Sequence, residues 1–155
     1  MFYDAILNSI ADPVFVKNDK FEFVYLNDAL CDMLGLTKES IMGKTLGESL
    51  PKDEMEHFLE VDKTVLDSGI SNVSEEPLTG KGGKTLTIVT KKTRFIDEKG
   101  NKFIVGIIRD ITKLKKVELE LQDKISELEK MNEMTMGREL KMIELKREIE
   151  ELKKK

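Results

Sequence analysis

Three observations point to an α+β domain with a single five-stranded antiparallel sheet and flanking short helices, followed by a long C-terminal α-helix forming a coiled coil. Hydrophobic periodicity runs helix, two strands, several short helices, three strands. This order lacks the βαβ alternation that would indicate a parallel sheet. The character of the chain also changes abruptly at Ile107-Ile108-Arg109-Asp110-Ile111-Thr112. Before that point, short β-branched and aromatic runs are broken by Gly and Pro; from Lys113 to Lys155 there is no proline and the one glycine is Gly137. The reading therefore divides the chain into a head, residues 1–112, and a coiled-coil dimerisation and signalling helix, residues 113–155.

The first ten residues, MFYDAILNSI, set Phe2, Ala5 and Ile6 on one helical face. Asp12-Pro13 ends that helix, because proline disfavours helical geometry in the residue before it. Val14-Phe15-Val16 and Phe21-Glu22-Phe23-Val24-Tyr25-Leu26 read as a hairpin around the polar turn Lys17-Asn18-Asp19-Lys20. In the second strand Phe21, Phe23 and Tyr25 share one face and Val24 and Leu26 the other. Asn27 is suited to cap the next helix, with Leu30, Met33 and Leu34 inward and Gly35 closing it. Thr37 caps a second short helix ending at Gly43. Pro51 opens a longer one, with Met55, Phe58, Leu59, Val61 or Asp62, Val65 and Leu66 at helical spacing, terminated by Ser68-Gly69.

From Val73 the period becomes strand-like. VSEEPL carries a proline and reads as an edge strand. The turn Gly80-Lys81-Gly82-Gly83 leads to KTLTIVTKKTRFID, in which Leu86 and Ile88 alternate with Thr85, Thr87 and Val89. A second turn, Asp97 to Asn101, leads to KFIVGIIRDIT, and the three strands form a meander.

Composition excludes several function classes. The tail holds 12 basic and 11 acidic residues and the head 14 and 19, for an overall net charge of −4. That leaves no basic footprint for nucleic acid. Cys31 is alone, so neither an internal disulfide nor a cysteine zinc cluster can form. No apolar run approaches the ~18–20 residues of a membrane helix, and the first residues do not form a signal peptide; the expected location is the cytoplasm.

Several segments in order carry a resemblance: NDALCDMLGL after the second strand, DSG at the end of the long helix, Glu75-Glu76 in the following strand, the DEKGN turn and the closing RDIT. Over about residues 1–112 the chain resembles a PAS domain. In that family the closing triplet ends the last strand and begins the helix that carries a signal away, which implies signal transmission by Asp110, Ile111 and Thr112. The resemblance also implies a pocket between the inner sheet face and the helices. Phe15, Tyr25, Leu30, Met33, Phe58, Val65, Leu86, Ile88, Ile104 and Ile107 either line such a pocket or simply fill a core of this size.

The cofactor remains unknown, and two kinds are argued against. Flavin-photosensing members carry a reactive cysteine where this chain reads GKTLGESLP, and Cys31 reads as a small buried hydrophobe. The single histidine, His57, lies on the long helix but lacks the surroundings of haem-binding PAS sensors; it reads as an exposed or capping residue. No metal is expected, since one histidine and one thiol do not assemble a site. Glu75 and Glu76 read as charge guarding a strand edge, with a carboxylate for a polar ligand as the alternative.

One heptad register fits the whole tail. Positions a are Leu114, Leu121, Leu128, Thr135, Met142 and Ile149; positions d are Val117, Lys124, Met131, Arg138, Leu145 and Leu152. Nine of these twelve are apolar, so the seam requires a partner helix, most simply a second copy in parallel. Lys124, Thr135 and Arg138 interrupt it, with Gly137 beside them. From Leu114 to Leu152 the helix extends roughly 58 Å at ~1.5 Å per residue.

The function expected is a sensory signal-transduction module, not an enzyme. The PAS-like head binds a small molecule or partner and biases a homodimeric coiled coil that regulates an output protein of unknown identity. The alternatives are the sensor part of a two-component histidine kinase whose catalytic region lies outside this chain, and a constitutive dimer scaffold that senses nothing. The family's phosphoacceptor histidine is missing from the tail, and nothing resembles a phosphate loop or nucleophile elbow.

Overall fold

The computed structural model describes residues 1–46 and 49–155. They form, in order, α1 (Phe2–Asn8), β1 (Val14–Lys17), β2 (Phe23–Leu26), α2 (Asp28–Leu34), α3 (Lys38–Ile41), α4 (Lys52–Ser68), β3 (Asn72–Thr79), a 3₁₀ turn (Lys81–Gly83), β4 (Thr85–Ile96), β5 (Lys102–Asp110) and α5 (Thr112–Lys153). The five strands make one antiparallel sheet in the order β2-β1-β5-β4-β3. The α+β class and the long terminal helix are as the sequence predicts. Two compact units result, Met1–Thr112 and Lys113–Lys155.

The local chemistry of the helix ends explains the head's connections. Asn27 caps α2: its Oδ1 accepts from Leu30 N at 3.3 Å and from Val14 N at 2.9 Å. Its Nδ2 donates to the carbonyls of Leu7, Ile10 and Asp12. One fully buried amide thereby fastens α1, the loop after it, β1 and α2 together. Thr37 Oγ1 caps α3 by accepting from Ser40 N. Gly69 closes α4 at φ 73°, and a Cβ there would meet the Arg94 guanidinium at 2.2 Å. That guanidinium donates to the carbonyls of Leu66 and Asp67, holding the end of α4 against β4.

Two sequence expectations about strands are corrected. Phe21 is not in β2: it adopts φ 62° in a turn closed by Asn18, whose Oδ1 accepts from Lys20 N and Glu22 N. Within β2 the strict alternation fails. The register slips between Val16 and Lys17, so Phe23 and Leu26 are both buried while Val24 is exposed and Tyr25 half-buried. A bulge of this kind moves one residue out of the pleat and re-aims its neighbours. The proline strand β3 does lie at a sheet edge.

The core lies between the inner sheet face and helices α2 to α4. Phe15, Leu26, Leu30, Ile41, Met55, Leu78, Ile88 and Ile108 are among its buried members. On β5, Ile104, Gly106 and Ile108 face inward, so Ile107 falls on the opposite face and is 42% exposed. Its expected place in a pocket is therefore corrected by strand parity. The face of α1 marked by Phe2 and Ile6 is exposed.

Candidate functional site

At one end of the inner face the apolar pattern gives way to charge. On β1, Lys17 follows Phe15 at the same parity; on β4, Thr90 and Lys92 continue the face begun by Leu86 and Ile88. The sheet register aligns Phe15, Gly106 and Lys92 in one row. Gly106 is needed there, because a Cβ would stand 2.0 Å from the Phe15 ring, which lies over the glycine instead. From α4, one turn after Phe58, Asp62 descends between the two lysines.

Lys17 Nζ lies 2.6 Å from Asp62 Oδ2 and donates to it, while Lys92 Nζ lies 2.7 Å from Asp62 Oδ1. The second contact is an ion pair rather than a directed hydrogen bond. All three residues are buried, Asp62 completely. Lys17 Nζ also sits 5.4 and 4.8 Å from the ring centroids of Phe15 and Phe23, and Lys92 Nζ 5.4 Å from that of Phe58, within cation–π range.

Two ammonium groups share one carboxylate here, in a medium where buried charge is costly. The ionisation tendencies follow. Burial alone would raise the Asp62 carboxyl, but Lys17 and Lys92 outweigh it and hold it below the usual range. Burial draws the Lys17 ammonium down, Asp62 opposes this, and the neighbouring Lys92 adds to it.

Beside the cluster lies a cavity of about 40 Å³. Its apolar walls include Phe15, Phe23, Leu30, Leu50, Met55 and Phe58, and its polar wall is Lys17, Lys92, Glu76 and Thr90. Glu76 is 5% exposed, which corrects its reading as a guard on an open strand edge. It lies at the edge strand, but its parity turns it inward. Its Oε2 lies 2.8 Å from His57 Nε2 and accepts from Ser74 Oγ at 3.3 Å. His57 is half exposed, in line with its reading as an exposed residue, and its Nε2 contacts this buried carboxylate. Glu76 Oε1 and Thr90 Oγ1 are buried without a hydrogen-bond partner among the described residues.

Of the expected pocket residues, Phe15, Leu30, Phe58 and Ile88 line the cavity. Val65 and Ile104 are buried elsewhere in the head, and Met33 and Leu86 pack partly buried against the core. Tyr25 is half-buried with Lys38 Nζ 5.2 Å from its ring centroid. Cys31 is partly buried against the same core. Lys17, Asp62, Lys92 and Thr90 were missed as site residues, whereas Glu76 stood only as the alternative of a carboxylate for a polar ligand. Lys17 in particular belongs to β1 and not to the polar turn. Parity held the missing signal: Phe15-x-Lys17 and Leu86-x-Ile88-x-Thr90-x-Lys92 each carry an inward face from apolar to polar.

At the far end of β5, Asp110 Oδ1 accepts from both Thr112 N and Thr112 Oγ1. Thr112 Oγ1 in turn accepts from Thr87 N at 2.9 Å, and Ile111 N donates to Thr87 O at 2.9 Å, with the Ile111 side chain buried. In the tail every residue of the a/d seam is exposed within the single chain. Among the described residues no helix is long and apolar enough to cross a membrane.

Comparison with known proteins places this geometry in context. The Sinorhizobium fredii protein y4lL is 34% identical over 85% of this chain and 16% of its own length. The methyl sulfide methyltransferase-associated sensor of Methanosarcina acetivorans is 29% identical over 91% of this chain and 14% of its own length. The chain thus spans about a sixth or less of these two relatives. The PAS domain of Bordetella pertussis BvgS superposes with a TM-score of 0.63 at 22% identity, covering 81% of this chain and 96% of that one. Residues 1–111 match the family model described as the PAS fold, and the chain belongs to the PAS family.

Proposed function

We propose that this chain is a cytoplasmic sensory module: the head takes a small molecule into the cavity beside Lys17, Asp62 and Lys92, and its state biases a parallel homodimeric coiled coil formed by residues 113–155. The observation that carries the reading is the pair of buried polar atoms, Glu76 Oε1 and Thr90 Oγ1, that face a cavity with no partner of their own. Buried polar groups are almost always hydrogen-bonded, so a cavity retaining two unpaired ones suits an incoming ligand. A relative named a sensor supports the same reading.

The link to output runs through Asp110, Ile111 and Thr112. Thr87 lies one residue before Ile88, which lines the cavity, and its backbone N–H and carbonyl bond to Thr112 Oγ1 and Ile111 N. A shift of β4 around a ligand therefore reaches the junction of β5 and α5 through two hydrogen bonds, one to Ile111 and one to Thr112. No flexible Gly/Ser linker follows to absorb the motion. The output is a separate protein or a further domain, such as a two-component kinase, because the relatives are much longer than this chain. The module acts by binding.

Native mass spectrometry of the full chain tests the reading. A dimer mass with a retained or exchangeable small molecule is expected. A bare monomer at micromolar concentration overturns the dimer, and a bare dimer unaffected by any small molecule leaves a scaffold in place of a sensor.

A further inference from the structure

We infer that the cavity's ligand is a compact uncharged molecule with one hydrogen-bond donor beside one acceptor on an otherwise apolar body, the donor meeting Glu76 and the acceptor meeting Thr90 or Lys92. This rests on the sensory reading above and names the chemistry of its ligand.

Hydrogen-bonding capacity supplies the first argument. The Oε2 of Glu76 is occupied by His57 and Ser74, whereas Oε1 calls for a donor. Thr90 Oγ1 has no hydrogen-bond partner among the described residues, and Lys92 Nζ, with three protons, has Asp62 and a 3.5 Å contact to Phe58 O. Glu76 stands opposite Ile88 and Ser74 opposite Thr90, so Glu76 and Thr90 are diagonal neighbours on one sheet face. Diagonal positions lie about 7–8 Å apart, within reach of a single small bifunctional molecule.

Charge supplies the second. Lys17 and Lys92 contribute two formal positive charges and Asp62 and Glu76 two negative ones, all in residues no more than 6% exposed. An anionic ligand would set a further negative charge against Glu76, and a cationic one a further positive charge beside the lysines. A neutral molecule enters without needing another counter-charge.

Size is the third. About 40 Å³ corresponds to roughly three waters at ~10–15 Å³ each, which limits the ligand to about a single small ring unless the walls move. The rings of Phe15, Phe23 and Phe58 and the side chains of Leu30 and Met55 offer it apolar contact.

The experiment titrates the full chain with 2-pyrrolidinone, a small ring carrying N–H beside C=O, and follows methyl and amide NMR shifts. Cyclopentanone, which lacks the donor, and butyrate, an anion of similar size, are run in parallel. Saturable shifts at Ile88, Leu30 and Met55 are expected for the lactam, with cyclopentanone and butyrate each binding at least about tenfold more weakly, the loss expected from one charge-assisted hydrogen bond. Thr90→Val removes a partner of the carbonyl that both molecules carry, so it should weaken the lactam and cyclopentanone alike by several-fold; the probe series on the unaltered chain needs no variant to fold. Butyrate or cyclopentanone binding as tightly as the lactam overturns this ligand class while leaving a ligand-sensing cavity. If none of the three shifts a cavity residue and native mass spectrometry also shows no retained molecule, this inference and the sensory reading both fall.

Discussion

Leu26, Ile88 and Ile104 in the head are at most 1% exposed, whereas Leu114, Leu121 and Leu152 in the tail are 59% to 69% exposed. The side chains are of the same kind, and both sets follow a regular period. The difference is that the head has two layers, a sheet and a helical cover, so each apolar face finds its partner within one chain. The tail is one helix, and a seam on one helix has nothing of its own to bury against. The head goes further and encloses charge, placing Lys17, Asp62 and Lys92 where water does not reach. The contrast teaches where each region's stability comes from: internal complementarity for the head, and association, under the proposed pairing, for the tail.

The largest expected effect breaks the head's side of this contrast. Asp62→Ala leaves two lysines buried without their carboxylate and should cost about 3–5 kcal/mol, the usual penalty for removing one partner of a buried pair. Loss of protection in amide hydrogen exchange of β4 and β5 is the measurement. The combined Lys17→Met, Asp62→Leu, Lys92→Met variant should instead be close to neutral or more stable, because it removes the charges with their desolvation cost. If the triple variant unfolds as readily as Asp62→Ala, the charged cluster stabilises the head outright.

Acidity sharpens the same point. Asp62 ionises more readily in the folded head than in an unfolded chain, so below the ordinary carboxylate value of ~3.9 the unfolded state binds more protons. Stability is therefore lost as pH falls through Asp62's lowered value. Lys17, also held below its ordinary ~10.4, acts in the same sense at the alkaline end: stability rises with pH between its lowered and ordinary values. Denaturation midpoints followed by hydrogen exchange should show both slopes in the native chain and neither in the triple variant.

On the tail's side, melting should depend on protein concentration while the head's should not, since association stabilises only what it orders. Truncation after Thr112 should bring the sedimentation mass toward monomer. Leu128→Ala should weaken the dimer by about 2 kcal/mol per chain, from the apolar surface no longer buried. Replacing Lys124, Thr135 and Arg138 by leucine or isoleucine should raise the tail's melting temperature. A truncated head that stays as firmly dimeric as the full chain would move the main contact out of the tail.

Much of the head was legible because its signals are local. Asn27, Thr37, Gly35 and Gly69 act within a turn of the helix ends they close, and the hairpin and meander show in two-residue alternation. The charged cluster was not, because Lys17 and Asp62 are 45 residues apart and each looks ordinary where it stands: a lysine at the edge of a polar turn, an aspartate at a position shared with Val61. Long-range pairing leaves no periodic trace. The bulge beside Lys17 added to this, since it shifted β2 out of the alternation that would have set its inward residues. In the tail the periodicity is plain, yet a heptad in one chain names a seam without naming its partner.

The smallest effect tests the junction between the two regions. Asp110 holds Thr112 through its backbone N–H and its hydroxyl, and Thr112 in turn receives Thr87 N. Asp110→Ala removes a cap-like acceptor and should cost the head about 1 kcal/mol, within the range for lost N-terminal caps. That is too little to unfold the head, so any larger consequence must come from the connection itself. With Thr112 no longer held, the hydrogen bond from Thr87 N to Thr112 Oγ1 loses its anchor, and spin-label distances across the proposed dimer, measured at Ser126 and Arg147 outside the seam, should broaden. Thr112→Ser keeps the hydroxyl and should keep the narrow distribution, while Thr112→Val should broaden it as Asp110→Ala does. Distances unchanged in both broadening variants would reduce Asp110 and Thr112 to a plain helix cap and place any transmission elsewhere.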